Sequence, residues 1–367
     1  MSLQSLGAID RFLLRLFPPP DFLMAPSFAL DISDESLKFL QLISGKHGIK
    51  MGRYGERSIP PGVIESGKIK NSKKIEEILS QLRKEEGIKS VRVSLPEEQV
   101  YIFQLELSKE GLGNVREAIE LALEEHVPIP AQDAIFDYEL VDENAQSLKV
   151  QVVTVPKNII ENYLLLFKNS KIRVQSFELE AHSIARAVIK QADPATYMIV
   201  DFGKKRTGVF IVSRGIVMFT STLDLGGIML NNVIEKNFKV SFEEADKIKK
   251  EYGLERNAPN KEVFPVILNS VSVLRDEIVK HFLYWHTHKD EEGKNNDPIK
   301  KIIFCGGEAN LIGLTDYIAV SMKTTVELAN VWVNILDTDN YVPEMNFKKS
   351  LAFTTAFGLA LGDLIVV

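Results

Sequence analysis

Two short segments of the chain share one pattern, in which an apolar strand ends in an aspartate and is followed by a turn and a second strand. The first is residues 29–33 (ALDIS) and the second is residues 199–203 (IVDFG). A carboxylate at a strand end, beside backbone N–H groups that a tight turn exposes, can hold a magnesium ion through water while the turn surrounds phosphates. One such unit is a weak signal, because an aspartate before a turn is more often a simple turn residue. Two units, each opening one half of the chain, predict an internal duplication.

A third segment, residues 302–311, joins an apolar strand to the diglycine Gly306-Gly307 and then to a helical pattern. Glycine at such a junction lets the backbone approach a flat ligand closely. A lone glycine pair has little weight, since strand-to-helix turns use glycine routinely. Its position after the second aspartate unit makes it a candidate ligand-binding element.

The length and composition indicate a globular protein with more than one lobe. The 367 residues exceed what a single hydrophobic core usually supports, and the cleft between lobes is the natural place for a ligand. Hydrophobic residues make up 45% and charged residues 26%, which is close to the average of globular proteins. The net charge of −6 argues against a nucleic-acid-binding role, because neutralising phosphates requires a basic face.

Cysteine content and hydropathy predict a cytoplasmic protein. Cys305 is the single cysteine, so the chain cannot form an internal disulfide or a cysteine zinc site. No apolar run reaches the roughly 18 residues of a membrane span, and the first residues do not follow the pattern of a signal peptide. We therefore expect a chain that is neither exported nor inserted in a membrane.

The first 25 residues predict an amphipathic helix that ends at a proline hinge. Leu6, Ile9, Leu13 and Leu16 recur at helical spacing before the prolines at 18–20. Such a helix could dock on its own domain, on a neighbouring copy, or on a membrane surface. The sequence leaves its role open.

Alternating and helical periodicities predict the order of the remaining elements. Residues 97–178 have their own β-α-β-β-α-β order, which predicts a compact inserted domain. The predicted divisions are 1–25 (helix and hinge), 26–96 (first lobe), 97–178 (inserted, partner-binding domain), 179–195 (connecting helix), 196–340 (second lobe) and 341–367 (helix returning to the first lobe).

The order of these motifs resembles that of the actin, Hsp70 and sugar-kinase superfamily, in which a nucleotide lies between two lobes. The resemblance implies an α/β, two-lobed actin-like (ribonuclease H-like, duplicated) fold with a β-α-β-β-α-β domain inserted in the first lobe. An insertion at this place is similar to FtsA and to the PilM family of type IV pilus assembly proteins, and unlike actin and MreB. The segment Pro128-Ile129-Pro130 after an acidic helix is the most specific mark of the PilM family. Other similar segments are residues 30–33, 37–38, 177–181, 224–245 and 306–314.

The resemblance implies ATP and Mg²⁺ as ligands and assigns residues to them. Asp31 and Asp201 would each hold magnesium through water. For the pair Glu244 and Lys247, matched to an adenosine-contacting Glu-x-x-Lys, a solvated helix face is an equally good interpretation. The implied nucleotide-binding residues are Asp31, Ser33 and Lys38 in the first hairpin, Asp201, Gly203 and Thr207 in the second, Gly226 and Gly227 near the sugar and phosphates, and Glu244, Lys247, Gly306 and Gly307 near adenosine.

Three departures from the family pattern bear on catalysis. The usual glycine after the first aspartate is Ser33, the usual small residues after Gly203 are residues 204–206 (KKR), and the usual third glycine of the adenosine motif is Glu308. Glu180 lies where superfamily members place the residue that orients the attacking water. Glu178 and a plain surface role for Glu180 are the alternatives.

The resemblance therefore implies an ATP-binding scaffold of the inner-membrane pilus assembly platform, with slow or absent hydrolysis. The expected partner is the cytoplasmic N-terminal tail of a PilN-like single-span membrane protein, so that the chain would reach the inner face of the plasma membrane indirectly. Self-association is left open. The competing hypotheses are an FtsA-like polymerising division protein and a small-molecule kinase of the same superfamily. The first would need a membrane-binding C-terminal helix, and the second a general base at a sugar pocket; the sequence has neither feature.

Overall fold

The structure is a computed structural model that describes residues 27–45, 48–256, 261–288, 295–335, 342–362 and 364. The chain divides into two compact units. Unit 1 contains the residues up to Glu180 and those from Leu359 onward, and unit 2 is Ala181–Gly358. The predicted N-terminal helix, residues 1–25, lies outside the described residues. Within the described ranges, no helix is both long and apolar enough to cross a membrane.

Unit 1 is an α/β arrangement around a five-stranded sheet. Its strands are β1 (Phe28–Ile32), β2 (Ser36–Gly45), β3 (Gly48–Ser58), β4 (Ile64–Glu65), β5 (Lys68–Ile69), β6 (Ser90–Leu95), β7 (Tyr101–Ser108), β8 (Ala134–Glu143), β9 (Ser147–Pro156) and β10 (Arg173–Leu179), and its helices are α1 (Ser72–Glu86), α2 (Val115–His126) and α3 (Lys157–Asn169). The main sheet has the order β10-β6-β1-β2-β3. Strand β1 pairs antiparallel with β2 and parallel with β6. All five residues of β1 are buried, so it lies at the centre of the core.

Helices α1 and α3 cover the main sheet through apolar residues at helical spacing. Ile75, Leu79 and Leu82 of α1 are fully buried, and the side chain of Asn71 caps its first turn by accepting a hydrogen bond from the N–H of Lys74. Tyr163 of α3 lies in the same core, together with Leu166 and Phe167. These residues place α3 on the main sheet.

The inserted part of unit 1 is a three-stranded sheet in the order β7-β9-β8, covered by α2. Ile119 and Leu123 of α2 are fully buried against this sheet. The predicted β-α-β-β-α-β order of residues 97–178 is present. However, α3 packs on the main sheet and β10 pairs in parallel with β6, so the small layer proper comprises residues 101–156. The predicted bounds of the inserted domain, 97–178, stay a prediction, because periodicity identifies a strand without identifying its partner.

Unit 2 is built on a second five-stranded sheet. Its strands are β11 (Thr196–Phe202), β12 (Thr207–Ser213), β13 (Ile216–Leu223), β14 (Ile299–Cys305) and β15 (Val326–Leu328), and its helices, starting with the connecting helix at the unit boundary, are α4 (Glu180–Val188), α5 (Gly227–Phe238), α6 (Phe242–Tyr252), α7 (Val263–Thr287), α8 (Leu314–Met322), α9 (Phe347–Leu351) and α10 (Thr354–Leu361). The sheet order is β13-β12-β11-β14-β15. Strand β11 pairs antiparallel with β12 and parallel with β14.

The two main sheets repeat one topology, as the paired aspartate units predict. In each sheet a central strand is followed by two antiparallel strands on one side and has two parallel strands on the other. Strands β1, β2, β3, β6 and β10 thus correspond to β11, β12, β13, β14 and β15. This is the duplicated actin-like architecture.

The predicted C-terminal helix is split in two, α9 and α10. Helix α10 packs on α4 at Gly358, whose Cα lies so near the carbonyl of Ser183 that a Cβ would be 1.7 Å from that oxygen. Arg186 of α4 donates a hydrogen bond of 2.8 Å to the carbonyl of Gly358. The residues from Leu359 onward group with unit 1, and those up to Gly358 with unit 2.

Candidate functional site

The first predicted hairpin is a four-residue turn between β1 and β2, in unit 1. Asp31 is the buried penultimate residue of β1 and lies opposite Lys38 in the ladder. The N–H of Ser33 donates to the carbonyl of Ser36 at 2.9 Å and closes the turn. The Asp31 carboxylate accepts a hydrogen bond of 3.0 Å from the hydroxyl of Ser94, at the end of the neighbouring strand β6. The structure thus brings the predicted residues Asp31, Ser33 and Lys38 together and adds Ser94.

The Asp31 carboxyl is unfavourably placed for a negative charge. Burial raises its pKa, and this effect exceeds the opposing effects of Lys38, whose Nζ lies 4.0 Å away, and of the Ser94 hydrogen bond. The nearby charge of Glu56 raises the pKa further. A buried carboxylate with incomplete compensation would gain stability from a cation near its turn.

Ser33 forms hydrogen bonds within its own turn. Its hydroxyl donates to the carbonyl of Ser36 at 3.1 Å and accepts from the N–H of Ser36 at 3.2 Å. Lys38 Nζ donates to the Ser36 hydroxyl at 3.0 Å. Serine in place of the expected glycine therefore stiffens the turn. Ser36 is a site residue that the sequence did not indicate.

The second predicted hairpin, in unit 2, repeats this geometry between β11 and β12. The N–H of Gly203 donates to the carbonyl of Arg206 at 2.9 Å, as Ser33 does to Ser36. The buried hydroxyl of Thr207 donates to the carbonyl of Leu225 at 2.6 Å. The Cys305 thiol lies 3.7 Å from Asp201 Oδ1. The predicted residues Asp201, Gly203 and Thr207 thus lie in one hairpin.

Cys305 occupies in unit 2 the position that Ser94 occupies in unit 1. Cys305 is the last residue and Ser94 the penultimate residue of the parallel neighbour of the central strand, and each directs its side chain at the aspartate of that strand. Burial, followed by the charge of Asp201, raises the pKa of the Cys305 thiol well above its ordinary value. The thiol therefore stays protonated and can donate to Asp201.

The backbone at Gly226 and Gly227 packs on the second hairpin and connects it by hydrogen bonds to the start of α5. The N–H of Gly227 donates to the carbonyl of Gly203 at 3.1 Å, and the N–H of Ile228 donates to the carbonyl of Lys204 at 2.9 Å. A Cβ on Gly226 would lie 2.4–2.7 Å from the backbone of residues 204–205. Because backbone cannot yield to such a contact, glycine is required at this position.

The diglycine of the third segment consists of one constrained and one open position. Gly306 has a φ of 91°, a region that side chains rarely adopt, and a Cβ there would lie 2.4 Å from the carbonyl oxygen of Phe202 and 2.5 Å from Asp201 Oδ1. Gly307 begins a short 3-10 helix (Gly307–Asn310), and a Cβ there would meet only Ala352 at an ordinary 3.6 Å. The strand end and the second hairpin are therefore in direct contact at Gly306.

Helix α6 contributes a buried ion cluster that differs from the predicted pair. Glu244 and Lys247 are both exposed on this helix. Lys249 is buried instead, with its Nζ 2.7 Å from Glu308 Oε2 and 3.1 Å from Asp246 Oδ1. Lys249 comes four residues after the apolar Ala245, so the two lie on one face of the helix, and Ala245 is buried in the structure. This spacing was the only feature of the sequence that indicated burial of Lys249.

The two candidate catalytic glutamates have different surroundings. Glu178 of β10 forms a 2.9 Å ion pair with Arg92 of the adjacent strand. Glu180 begins α4 and is half-buried, and its charge contributes to raising the pKa of Tyr163, whose dominant cause is burial. The Tyr163 hydroxyl is buried and has no hydrogen-bond partner among the described residues. Glu180 is therefore near enough to Tyr163 for its charge to act on that hydroxyl.

The residues fit a polyphosphate at the hairpins better than they fit a nucleoside at Gly227. Each hairpin combines a strand-end carboxylate with a four-residue turn, as phosphate and magnesium binding requires. In unit 2 the carboxyl group of Glu308 lies where a Cβ on Gly227 would be, 2.1–2.5 Å away. In the described part of the chain, no group of three or more His, Cys, Asp or Glu side chains is placed to hold a metal ion directly.

Comparison with known proteins identifies relatives over nearly the whole chain. The family model for type IV pilus assembly protein PilM matches residues 29–363. A chain in the structure of a PilM-PilN type IV pilus biogenesis complex has a TM-score of 0.75 and 17% identity, covering 93% of this chain and 99% of that chain. Ethanolamine utilization protein EutJ from Carboxydothermus hydrogenoformans (TM-score 0.54, 13% identity, 94% and 90% covered) has a similar fold. So does MreB5 of Spiroplasma citri bound to ADP (TM-score 0.54, 15% identity, 93% and 97% covered).

Proposed function

The chain belongs to the PilM family of type IV pilus assembly proteins, and from this premise we propose that it is a cytoplasmic ATP-binding scaffold of the pilus assembly platform. The observation that carries the proposal is the extent of the family match, which runs from β1 to the end of α10 and includes both hairpins and the inserted layer. The similar chain from the PilM-PilN complex is covered almost completely, so the inserted layer has its counterpart there.

The proposed nucleotide function assigns each hairpin a share of the ligand. Asp31 and Asp201 would hold magnesium through water, and the turns that follow them would surround the phosphates. The sugar would lie near Gly226 and Gly227, and the base near Gly306 and Gly307 as in the family pattern. The magnesium ion of bound MgATP would supply the positive charge that would stabilise the buried Asp31 carboxylate. Solved relatives of this fold include MreB5 bound to ADP, which supports a nucleotide as the ligand.

Hydrolysis is proposed to be slow or absent. The Ser33 hydroxyl and the Lys38 ammonium are both bonded to Ser36, so the first turn would have to break these bonds to follow a reacting phosphate. Glu180 is the proposed water-orienting residue, and it lies beside the buried Tyr163. Turnover should stay far below the enzyme median of about 10 per second.

The proposed partner is the cytoplasmic tail of a PilN-like membrane protein, which would bring the chain to the membrane. Strand β8 is an edge of the small sheet and carries exposed apolar side chains at Ile135, Tyr138 and Leu140. An extended peptide can add to such an edge and place alternate side chains on the apolar residues. Because the tail must order itself on binding, we expect micromolar affinity.

Titration with a peptide of the PilN-like tail tests the partner assignment. Leu140→Glu should weaken binding at least tenfold, because it places a charge among the apolar contacts of the edge strand. Leu121→Glu is the matched control: Leu121 is 85% exposed on α2 of the same layer and should tolerate the change. Failure of the intact protein to bind the tail, together with ATP-dependent filaments, would instead favour the FtsA-like alternative.

Calorimetry with MgATP tests the nucleotide assignment. Asp201→Ala should abolish binding, since it removes the carboxylate of the second hairpin. Asp297→Ala serves as the control, because Asp297 is a half-exposed residue of unit 2 paired with Arg214. Unchanged ATP affinity in the Asp201 variant would contradict the assignment.

A further inference from the structure

Glu308 occupies the part of unit 2 where the proposed function places the sugar of the nucleotide. A Cβ built on Gly227 would lie 2.1–2.5 Å from the carboxyl atoms of Glu308, which is closer than the 3.0 Å that real Cβ atoms keep, so this carboxyl group fills the space beside Gly227. The Glu308 side chain is 13% exposed, and its Oε2 lies 2.7 Å from Lys249 Nζ. No ligand atom can enter between Gly227 and Glu308 while this contact is present.

Lys249 is saturated by groups of the protein itself. Its three N–H donors point to three acceptors: Glu308 at 2.7 Å, Asp246 at 3.1 Å, and the Gly227 carbonyl at 3.5 Å, which is the outer limit of a hydrogen bond. The Lys249 side chain is only 1% exposed. A ligand hydroxyl or base nitrogen could reach Lys249 only by displacing one of these acceptors.

The cluster is balanced in charge. Asp246 also pairs with Lys250, so two carboxylates, of Asp246 and Glu308, face two ammonium groups, of Lys249 and Lys250. The formal charge of the group is therefore zero. The space that the Glu308 carboxyl group occupies, and not a net charge, is what opposes nucleotide binding.

We propose that Glu308 is a built-in competitor that keeps the nucleotide site of unit 2 closed until its carboxylate leaves Lys249. Nucleotide binding then requires the Glu308 side chain to rotate away, and the Lys249 donor that it releases becomes available to the ligand. In this exchange a ligand atom replaces the Glu308 carboxylate as the acceptor for Lys249. The apparent affinity for the nucleotide is therefore the affinity of the open state multiplied by the fraction of molecules that are open. This inference rests on the proposed nucleotide function and concerns the same site.

The geometry separates this role from a purely structural ion pair. A structural pair would need the Glu308 carboxylate near Lys249 but would not need it packed on Gly227. Asp246 alone already supplies Lys249 with a carboxylate one helical turn away on α6. Loss of Glu308 therefore leaves Lys249 paired and opens the space over Gly227.

Fluorescence titration of the full chain with mant-ATP and Mg²⁺, with displacement by ATP, tests the proposal. Glu308→Gly removes both the competitor and its charge and should bind at least tenfold more tightly than the unaltered chain. Glu327→Gln is the control, because Glu327 is a half-exposed carboxylate on β15 paired with Lys301. Its affinity should be unchanged.

Equal or weaker binding by Glu308→Gly overturns the proposal while leaving the nucleotide function intact, provided that the unaltered chain binds. Absence of binding by both proteins at millimolar nucleotide overturns the proposal and the nucleotide function together. Glu308→Gln keeps the shape of the side chain and guards against misfolding of the glycine variant. It should bind at least threefold more tightly than the unaltered chain, and equal affinity again overturns the proposal.

Discussion

Replacement of Gly358 by alanine probes the packing of the last helix. The new Cβ would lie 1.7 Å from the Ser183 carbonyl oxygen and 2.3 Å from its carbon. Since an ordinary contact needs about 3.4 Å, α10 would have to move away from α4 by more than 1 Å. Overpacking of this kind costs about 1–3 kcal/mol. The Arg186 hydrogen bond to the Gly358 carbonyl, worth about 1.5–3 kcal/mol when it involves a charged donor, would also lengthen.

The helix preference of alanine over glycine offsets about 1 kcal/mol of these costs, so the expected net loss of unfolding free energy is about 1.5–5 kcal/mol. Urea unfolding followed by circular dichroism measures it, with Gly307→Ala as the matched control. The Cβ of that control would meet Ala352 at 3.6 Å and should change stability by less than about 0.5 kcal/mol. If Gly358→Ala were as stable as the unaltered chain, the close helix contact would be refuted.

Three further changes test the buried polar groups. Asp31→Asn should raise the melting temperature at pH 7, because burial raises the pKa of Asp31 and an ionised carboxylate at this place destabilises the folded state. In a pH series this gain should vanish below pH 3.8, the ordinary pKa, where the carboxyl group is protonated in both the folded and the unfolded state. Tyr163→Phe should leave the urea midpoint unchanged or raise it, since the hydroxyl lacks a partner among the described residues, and a clear loss would argue against this. Lys249→Met should lower the unfolding free energy by about 3–5 kcal/mol, because it leaves the largely buried Glu308 carboxylate without its cation while Asp246 keeps Lys250. Lys247→Met should lie within about 0.5 kcal/mol of the unaltered chain.

The duplicated architecture could be predicted from the sequence because its signal is local. Asp31 and Asp201 each follow an apolar run and precede a turn, and a hairpin is determined by residues that are neighbours in the chain. The two turns close with the same hydrogen bond, from Ser33 to Ser36 and from Gly203 to Arg206.

The partners of these aspartates could not be predicted because they depend on the register of distant strands. Ser94 and Cys305 reach Asp31 and Asp201 only because β6 and β14 pair in parallel with the central strands. Ser94 belongs to no pattern of its own in the sequence, and Cys305, although it precedes the diglycine of the third segment, carries no signal that links it to Asp201. Parallel pairing brings together positions that no local periodicity links.

The cluster on α6 was missed for a related reason. A lysine on a polar helix is normally solvated, so the exposed Lys247 and the buried Lys249 look alike in the sequence. The carboxylate of Glu308, which pairs with the buried Lys249, comes from a distant segment. Glu308 was noted as a departure from the glycine pattern, but its partner became visible only in the folded chain.

Hydrogen–deuterium exchange of the full chain with and without MgATP tests the central claim most directly. We expect protection of backbone amides in both turns, residues 33–36 and 203–206, because each turn is proposed to surround phosphates. The Asp201→Ala variant should lose this protection in both turns. Unchanged exchange in both turns at saturating MgATP would contradict the claim that this PilM-family chain is a nucleotide-binding scaffold.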